Sequence, residues 1–350
     1  MKQVIFVGWV REGKPPVDGE TTKNQYIIAE LKKYCKVTVL DFYQKNRHPW
    51  IYLQAVQALV CQPNATIVFS TSAKNVYGIL RFFKKLHLRR DIVHWVVGGS
   101  FGKDVLEGRY RADVFNFVKY NLVQCHGMID ELRSAGVNNA RFVPNFKSIP
   151  YYPDLEKILA QRRFGKKTRF VFLSRIMPSK GCDYLLEAVR LLNEKGYGER
   201  YSVDFYGKID QGYCDAFQDG VGKLQNAHYK GLLDLSKPAG YDTLATYDAM
   251  LFPTIHPSEG FSGVFIDAFV AALPVLVSDW AYNAEIVADG TSGMVYPAAD
   301  AKALAETMEH CITGQTDLQQ MARQARAKAD EYSSGNVLSV DYLRSVGLMA

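Results

Sequence analysis

The sequence predicts an α/β protein made of two doubly wound domains, each with a parallel sheet. Short apolar, β-branched runs alternate with helix-length amphipathic segments, the pattern of strand–helix–strand units. The alternation breaks at Pro144 to Pro153, a turn-rich stretch with three prolines, and then restarts. With 350 residues, 48% of them hydrophobic and 22% charged, the chain is long enough to bury two cores.

In the first domain the strand runs are Val4–Val7, Val37–Leu40, Thr66–Phe69, Ile92–Val97, Leu122–Val123 and Arg141–Val143. After the break they are Arg169–Leu173, Tyr201–Tyr206, Ala227–Tyr229, Ala249–Phe252 and Pro274–Val277, with helical segments between them. The expected domains are 1–148 and 149–336. A final segment, 337–350, is a candidate to pack back on the first domain. Two such sheets facing each other would bring their strand ends to one cleft, where doubly wound sheets bind ligands.

No stretch approaches the roughly 18 unbroken apolar residues of a membrane span, and the apolar opening is too short for a signal peptide. A cytoplasmic location is expected. The six cysteines lack Cys-x-x-Cys spacing, which argues against a zinc site and against a disulfide framework. Asn64-Ala65-Thr66 fits a glycosylation acceptor but runs into an apolar strand, so it is discounted. Net charge is +6 and uneven: residues 1–150 carry 22 Lys and Arg against 11 Asp and Glu, so the second half is slightly acidic. A basic half suits an anionic partner.

Ser174-Arg175-Ile176-Met177-Pro178-Ser179-Lys180-Gly181 follows the first strand of the second domain and leads into a helix. Arg offers a planar fork of donors and Lys a compact charge, a combination suited to a diphosphate near a helix N-terminus. An isolated pair of this kind is more often a solvated basic loop. In His256-Pro257-Ser258-Glu259-Gly260-Phe261-Ser262-Gly263-Val264-Phe265-Ile266-Asp267, a loop carrying a carboxylate passes through small residues into an apolar helix. Backbone N–H groups near Ser262, Gly263 and Val264 can face a phosphate, Glu259 can accept from sugar hydroxyls, and Asp267 can reach a ribose. The plainer alternative makes Ser262 an N-cap and Asp267 a helix-start acid.

These two segments, followed by Ala272-Leu273-Pro274-Val275 and Glu285-Ile286-Val287-Ala288-Asp289-Gly290-Thr291-Ser292-Gly293, resemble the retaining family 4 glycosyltransferases of the GT-B fold. The resemblance implies two Rossmann-like domains facing a central cleft. It gives the donor diphosphate to Arg175 and Lys180, the donor sugar to Glu259 and the ribose to Asp267, with Phe261, Ser262, Gly263 and Val264 completing the donor site. Catalytic roles fall on Glu259, Arg175 and Lys180. The resemblance further implies a nucleoside diphosphate sugar as donor and no requirement for a metal or other cofactor. Two departures stand out: the second acid is Asp where the family has Glu, and Ser262 occupies a position where it has Gly.

In the first domain the resemblance is thinner. Gly19 lies where the family has a glycine-rich loop touching acceptor and phosphate, and Gly98 and Gly99 follow the fourth strand. They and His126 are the acceptor or cleft candidates, while His94 reads as a packed strand histidine. Arg81 to Arg90 interleaves cations with large apolar residues on a helix. It can dock on an anionic membrane surface or be a core-facing helix with a solvated basic edge. Nucleic acid is not expected, because no aromatic platform or recognition motif accompanies the charge. The expected function is retaining glycosyl transfer to a glycan or lipid-linked acceptor in cell-surface polysaccharide synthesis, peripheral to the inner face of a membrane. A hydrolysing nucleotide-sugar epimerase and a non-catalytic sugar-nucleotide-binding paralogue are the alternatives.

Overall fold

The computed structural model describes residues 2–46, 48–88, 90–162 and 167–349. It divides into two compact units, one of Met1–Ser148 with Tyr332–Ala350 and the other of Ile149–Glu331. The chain returns to unit 1 at Tyr332, ahead of the expected residue 337. Among the described residues, no helix is long and apolar enough to cross a membrane.

Unit 1 holds β1 (Gln3–Gly8), β2 (Lys36–Asp41), β3 (Thr66–Thr71), β4 (Ile92–Val96), β5 (Tyr120–Val123) and β6 (Ala140–Phe142). All pair in parallel, in the order β2-β1-β3-β4-β5-β6. Between them run α1 (Gly19–Lys32), α2 (Ile51–Cys61), α3 (Ala73–Lys85), α4 (Phe101–Leu106), α5 (Ala112–Phe115) and α6 (His126–Ser134). The interior strands β3 and β4 are buried throughout, as a sheet covered on both faces requires, whereas edge strand β2 is half-buried. Right-handed crossovers put α1 on one face and α2 and α3 on the other. Strand order reverses between β1 and β3. There Gly8 is obligatory, since a Cβ would lie 2.8 Å from the Ser70 carbonyl oxygen.

Unit 2 holds β7 (Thr168–Leu173), β8 (Tyr201–Tyr206), β9 (Ala227–Tyr229), β10 (Ala249–Phe252), β11 (Val275–Ser278) and β12 (Gly293–Tyr296). The order is β12-β11-β10-β7-β8-β9, again parallel. Its helices are α7 (Leu155–Gln161), α8 (Cys182–Glu194), α9 (Cys214–Gly222), α10 (Pro238–Leu244), α11 (Gly263–Val270), α12 (Asn283–Ile286), α13 (Ala301–Thr313) and α14 (Leu318–Ala329). Phe170, Phe172, Val203 and Phe205 of the sheet pack with Leu185 and Val189 of α8 and Leu304 and Met308 of α13. Order reverses between β7 and β10, so the loops leaving these two strands emerge side by side.

The last segment carries α15 (Ser334–Val337) and α16 (Val340–Ser345). Val337, Leu338, Leu343, Val346 and Leu348 join Val4, Phe6, Ile27 and Leu31 in the core of unit 1. Ser334 Oγ donates to Glu30 Oε1 at 2.7 Å, and the Lys147 N–H donates to the Tyr332 carbonyl at 3.0 Å.

Candidate functional site

The reversal between β7 and β10 decides which residues of unit 2 meet. The loop after β7 runs through Arg175 into a single turn, Pro178–Lys180, ended by Gly181 in the left-handed region at φ +78°. A Cβ on Gly181 would lie 1.9 Å from the Pro253 carbonyl oxygen, so the backbones of the two loops are in direct contact. The Ile255 N–H donates to the Ser179 carbonyl at 2.9 Å and ties them together.

That contact sets Lys180 against Glu259. Lys180 Nζ donates to Glu259 Oε2 at 2.5 Å, with the side chains 9% and 7% exposed. Thr254 Oγ1 donates to the same carboxylate oxygen at 2.8 Å, and Lys180 Nζ lies 5.8 Å from the centre of the Phe252 ring. The Ser278 hydroxyl holds the Thr254 carbonyl at 2.7 Å, and Trp280 Nε1 holds the His256 carbonyl at 2.8 Å. Burial lowers the His256 pKa, and the positive charges of Lys180 and Arg175 lower it further against the pull of Glu259. An imidazole kept neutral beside two cations can accept a hydrogen bond without adding to their repulsion. Arg175 is exposed and, among the described residues, unpaired.

Sequence reasoning placed Arg175, Lys180 and Glu259 on two loops, and the structure brings those loops together. It did not anticipate that Lys180 and Glu259 bond to each other, nor the roles of Thr254, His256 and Trp280. His256 stood at the head of the quoted motif, but only the strand order reveals its neighbours. Phe261 is buried and packs 6.3 Å from Phe265 between ring centres. Ser262 is the N-cap of α11 without a side-chain capping bond, and Gly263 and Val264 begin the helix. Asp267 is 2% exposed, and its Oδ1 accepts from the Tyr241 hydroxyl at 2.8 Å. A methylene shorter than glutamate, it sits on α11 and bonds to Tyr241 of α10.

The remaining candidates belong to unit 1. Gly19 opens α1, whose N-cap Asp18 forms a capping box with Thr21. Gly98, at φ +95°, and Gly99 follow β4. His126 starts α6 and stacks on Phe142 at 4.0 Å between ring centres. His94 is fully buried between Asn121 Oδ1 and the Thr71 carbonyl, and burial pushes its pKa down to about 4. In the basic segment, Arg89 lies outside the described residues, Lys84 pairs with Asp113 at 2.7 Å, and Arg90 donates to the carbonyls of Leu59, Gln62 and Ala65.

Residues 167–314 match the family described as glycosyl transferases group 1. The matched residues all lie in unit 2. The whole chain has the GT-B fold. HepE of Anabaena, solved with UDP-glucose, superposes with a TM-score of 0.69 at 16% identity, covering 99% of this chain and 100% of that one. Sucrose-phosphate synthase of Thermosynechococcus elongatus gives 0.76 at 13% identity, covering 99% and 98%. Two curated relatives are the amylovoran biosynthesis glycosyltransferase AmsK of Erwinia amylovora and the capsular polysaccharide biosynthesis glycosyltransferase CapM of Staphylococcus aureus. AmsK is 26% identical over 174 residues, 46% of this chain and 40% of its own length. CapM is 23% identical over 167 residues, 48% of this chain and 42% of its own. The chain thus spans less than half the length of these relatives.

Proposed function

We propose that the protein is a retaining family 4 glycosyltransferase, moving a sugar from a nucleoside diphosphate to a glycan or lipid-linked acceptor in polysaccharide synthesis. The observation that carries this reading is the buried Lys180–Glu259–Thr254 cluster beside unpaired Arg175, at the strand-order reversal of unit 2, whose residues 167–314 match the glycosyl transferases group 1 family. Support also comes from HepE, which was solved with UDP-glucose and shares the fold.

In the reaction, the bond from the anomeric carbon to the diphosphate oxygen breaks, and one forms to an acceptor hydroxyl oxygen. The hydroxyl proton passes to the departing phosphate. Negative charge grows on the diphosphate, and Arg175 and Lys180 answer it from fixed positions, helped by the N–H groups of Gly263 and Val264 at the start of α11. Glu259, held by Lys180 and Thr254, presents its carboxylate to the sugar hydroxyls. On this reading the cations of the chain neutralise the leaving group, and no metal takes part. The acceptor meets unit 1 near Gly19, Gly98, Gly99 and His126.

Thermal shift with uridine, guanosine and adenosine diphosphates tests the donor site. One nucleotide should raise Tm in the native protein, and Arg175→Ala should shrink that rise. Absence of any shift with all three would sink the reading. Turnover then separates the alternatives: nucleotide released only with an acceptor supports transfer, release without one supports an epimerase, and none supports a binding paralogue.

A further inference from the structure

The loop after β1 is fixed more firmly than a surface connection requires. Asp41, at the end of β2, accepts the N–H groups of Val10 and Tyr43 on Oδ1 and that of Glu12 on Oδ2, each at 3.0 Å. From α1 the Gln25 amide donates to the carbonyls of Val10 and Lys14 at 3.0 and 2.9 Å. The Lys14 N–H closes a turn on the Arg11 carbonyl at 3.1 Å, and Arg11 stands at φ +58°, a left-handed conformation that glycine would adopt without strain. Such strain persists where surrounding bonds enforce it, and here they fix the direction of one cationic side chain.

This loop, the end of β2 and the start of α2 enclose a cavity of about 420 Å³, the size of a small-molecule site. Tyr43 and Trp50 line it with Arg11, Lys14, Val39 and Ile51. Its two carboxylates are already engaged: Asp41 holds three N–H groups, and Glu12 pairs with Lys32 at 3.3 Å. The cations have capacity to spare. Arg11 donates to the Pro15 carbonyl from Nη1 at 2.8 Å, which leaves the rest of its fork, and Lys14 has no side-chain partner among the described residues. Trp50 is 56% exposed, so one of its faces is open to a ligand.

An aromatic face beside free cations selects a ligand with an apolar side and an anionic group at its edge. A pyranose acid has C–H groups on a ring face, a carboxylate, and hydroxyls that Glu12 and Gln54 of the cavity wall can meet. A nucleotide would ask the loop for backbone N–H groups at its phosphates, and Asp41 already occupies those of Val10, Glu12 and Tyr43.

We infer that this cavity binds an acidic sugar of a glycan, with the ring against Trp50 and Tyr43 and the carboxylate on Arg11 and Lys14. The site stands apart from the other candidates of unit 1, since β2 is the edge strand and lies three strand spacings, roughly 14 Å, from β4, which Gly98 and Gly99 follow. It is also independent of the glycosyl-transfer reading, because nucleotide binding in unit 2 can fail or succeed without it.

Calorimetric titration of the full chain tests the inference, with hexamers of mannuronate and of galacturonate set against neutral maltohexaose. At least one uronate hexamer should bind about tenfold or more tighter than maltohexaose, and the binding should weaken as salt rises. Arg11→Gly, which relieves the positive φ, and Trp50→Ala, at an exposed side chain, should each lower that affinity by about tenfold while Tm holds, and Trp50→Phe should restore most of it. Negligible binding of both uronate hexamers would overturn the inference, as would equal binding of the neutral hexamer or affinity that survives both variants. So would displacement of the bound hexamer by uridine diphosphate, which would make the cavity a nucleotide site.

Discussion

Lys180 and Glu259 are each less than a tenth exposed and share a bond of 2.5 Å, so neither charge has water in reserve. Removing one strands the other. Lys180→Met should therefore lower the stability of unit 2 by about 3 kcal/mol, whereas Arg175→Ala, at an exposed and unpaired residue, should cost no more than about 0.5 kcal/mol. Denaturant melts of the two variants, set beside their nucleotide-induced shifts, would separate a residue that holds the site from one that only meets the ligand. A second buried pair behaves differently. Lys23 and Glu20 sit one turn apart on α1, and Lys23 Nζ and Glu20 Oε1 are buried without hydrogen-bond partners. Burial pulls Lys23 down to about 7 and pushes Glu20 up to about 7. Between about pH 7 and 10.5 the unfolded chain holds more protons at Lys23 than the folded one, so stability at this residue rises with pH. Between about pH 4.5 and 7 the folded chain holds more at Glu20, so stability there falls as pH rises. Lys23→Met should stabilise by on the order of 3 kcal/mol below pH 7, and the gain should fade towards pH 10.5. Glu20→Gln should show the opposite trend, its gain absent below pH 4.5 and full above 7. Parallel pH profiles of Tm for the two variants would disprove the assignment.

At the level of elements, contact between the loops after β7 and β10 rests on Gly181. Gly181→Ala puts a Cβ 1.9 Å from a backbone oxygen at a positive φ, so it should destabilise unit 2 by about 2 kcal/mol or more. Nucleotide affinity should fall with it, because Lys180 is the adjacent residue; a stable variant with native affinity would contradict this. The strands were readable because parallel strands covered on both faces are written as short apolar runs, as in Thr66–Phe69 and Phe170–Leu173. β12 escaped because Gly293-Met294-Val295-Tyr296 is brief, opens on glycine and is only partly buried. That glycine has a physical role, since a Cβ would meet the Val275 carbonyl at 2.0 Å across the neighbouring strand. The site was legible as two loops, because charge and small residues following a strand are visible in one dimension. The bond between Lys180 and Glu259 was not, since it depends on a strand order that residues 79 apart in sequence cannot announce. Asp267 illustrates the same limit: its partner Tyr241 lies on another helix, 26 residues away.

For the whole molecule, unit 1 depends on residues that follow unit 2. Ending the chain after Glu331 would remove Leu338, Leu343, Val346 and Leu348 from a core they share with Phe6 and Leu31, and would strip Glu30 of its Ser334 partner. Each such side chain contributes roughly 1.5–3 kcal/mol when buried, so the sum of about 6–12 kcal/mol is comparable to the whole stability of a typical domain. Unit 1 should then lose its cooperative melting transition, while nucleotide protection of the Arg175 loop against proteolysis should persist. If both transitions survived the truncation, the C-terminal segment would be a decoration rather than part of that core.

The interrupted unit also fixes an order of events at the ribosome. Unit 2 is encoded as one unbroken stretch, Ile149–Glu331, and can fold once it clears the exit tunnel. Unit 1 is synthesised first yet must wait for the final helices. Its apolar sheet face stays open through the translation of unit 2, a window in which a nascent-chain chaperone would find its target.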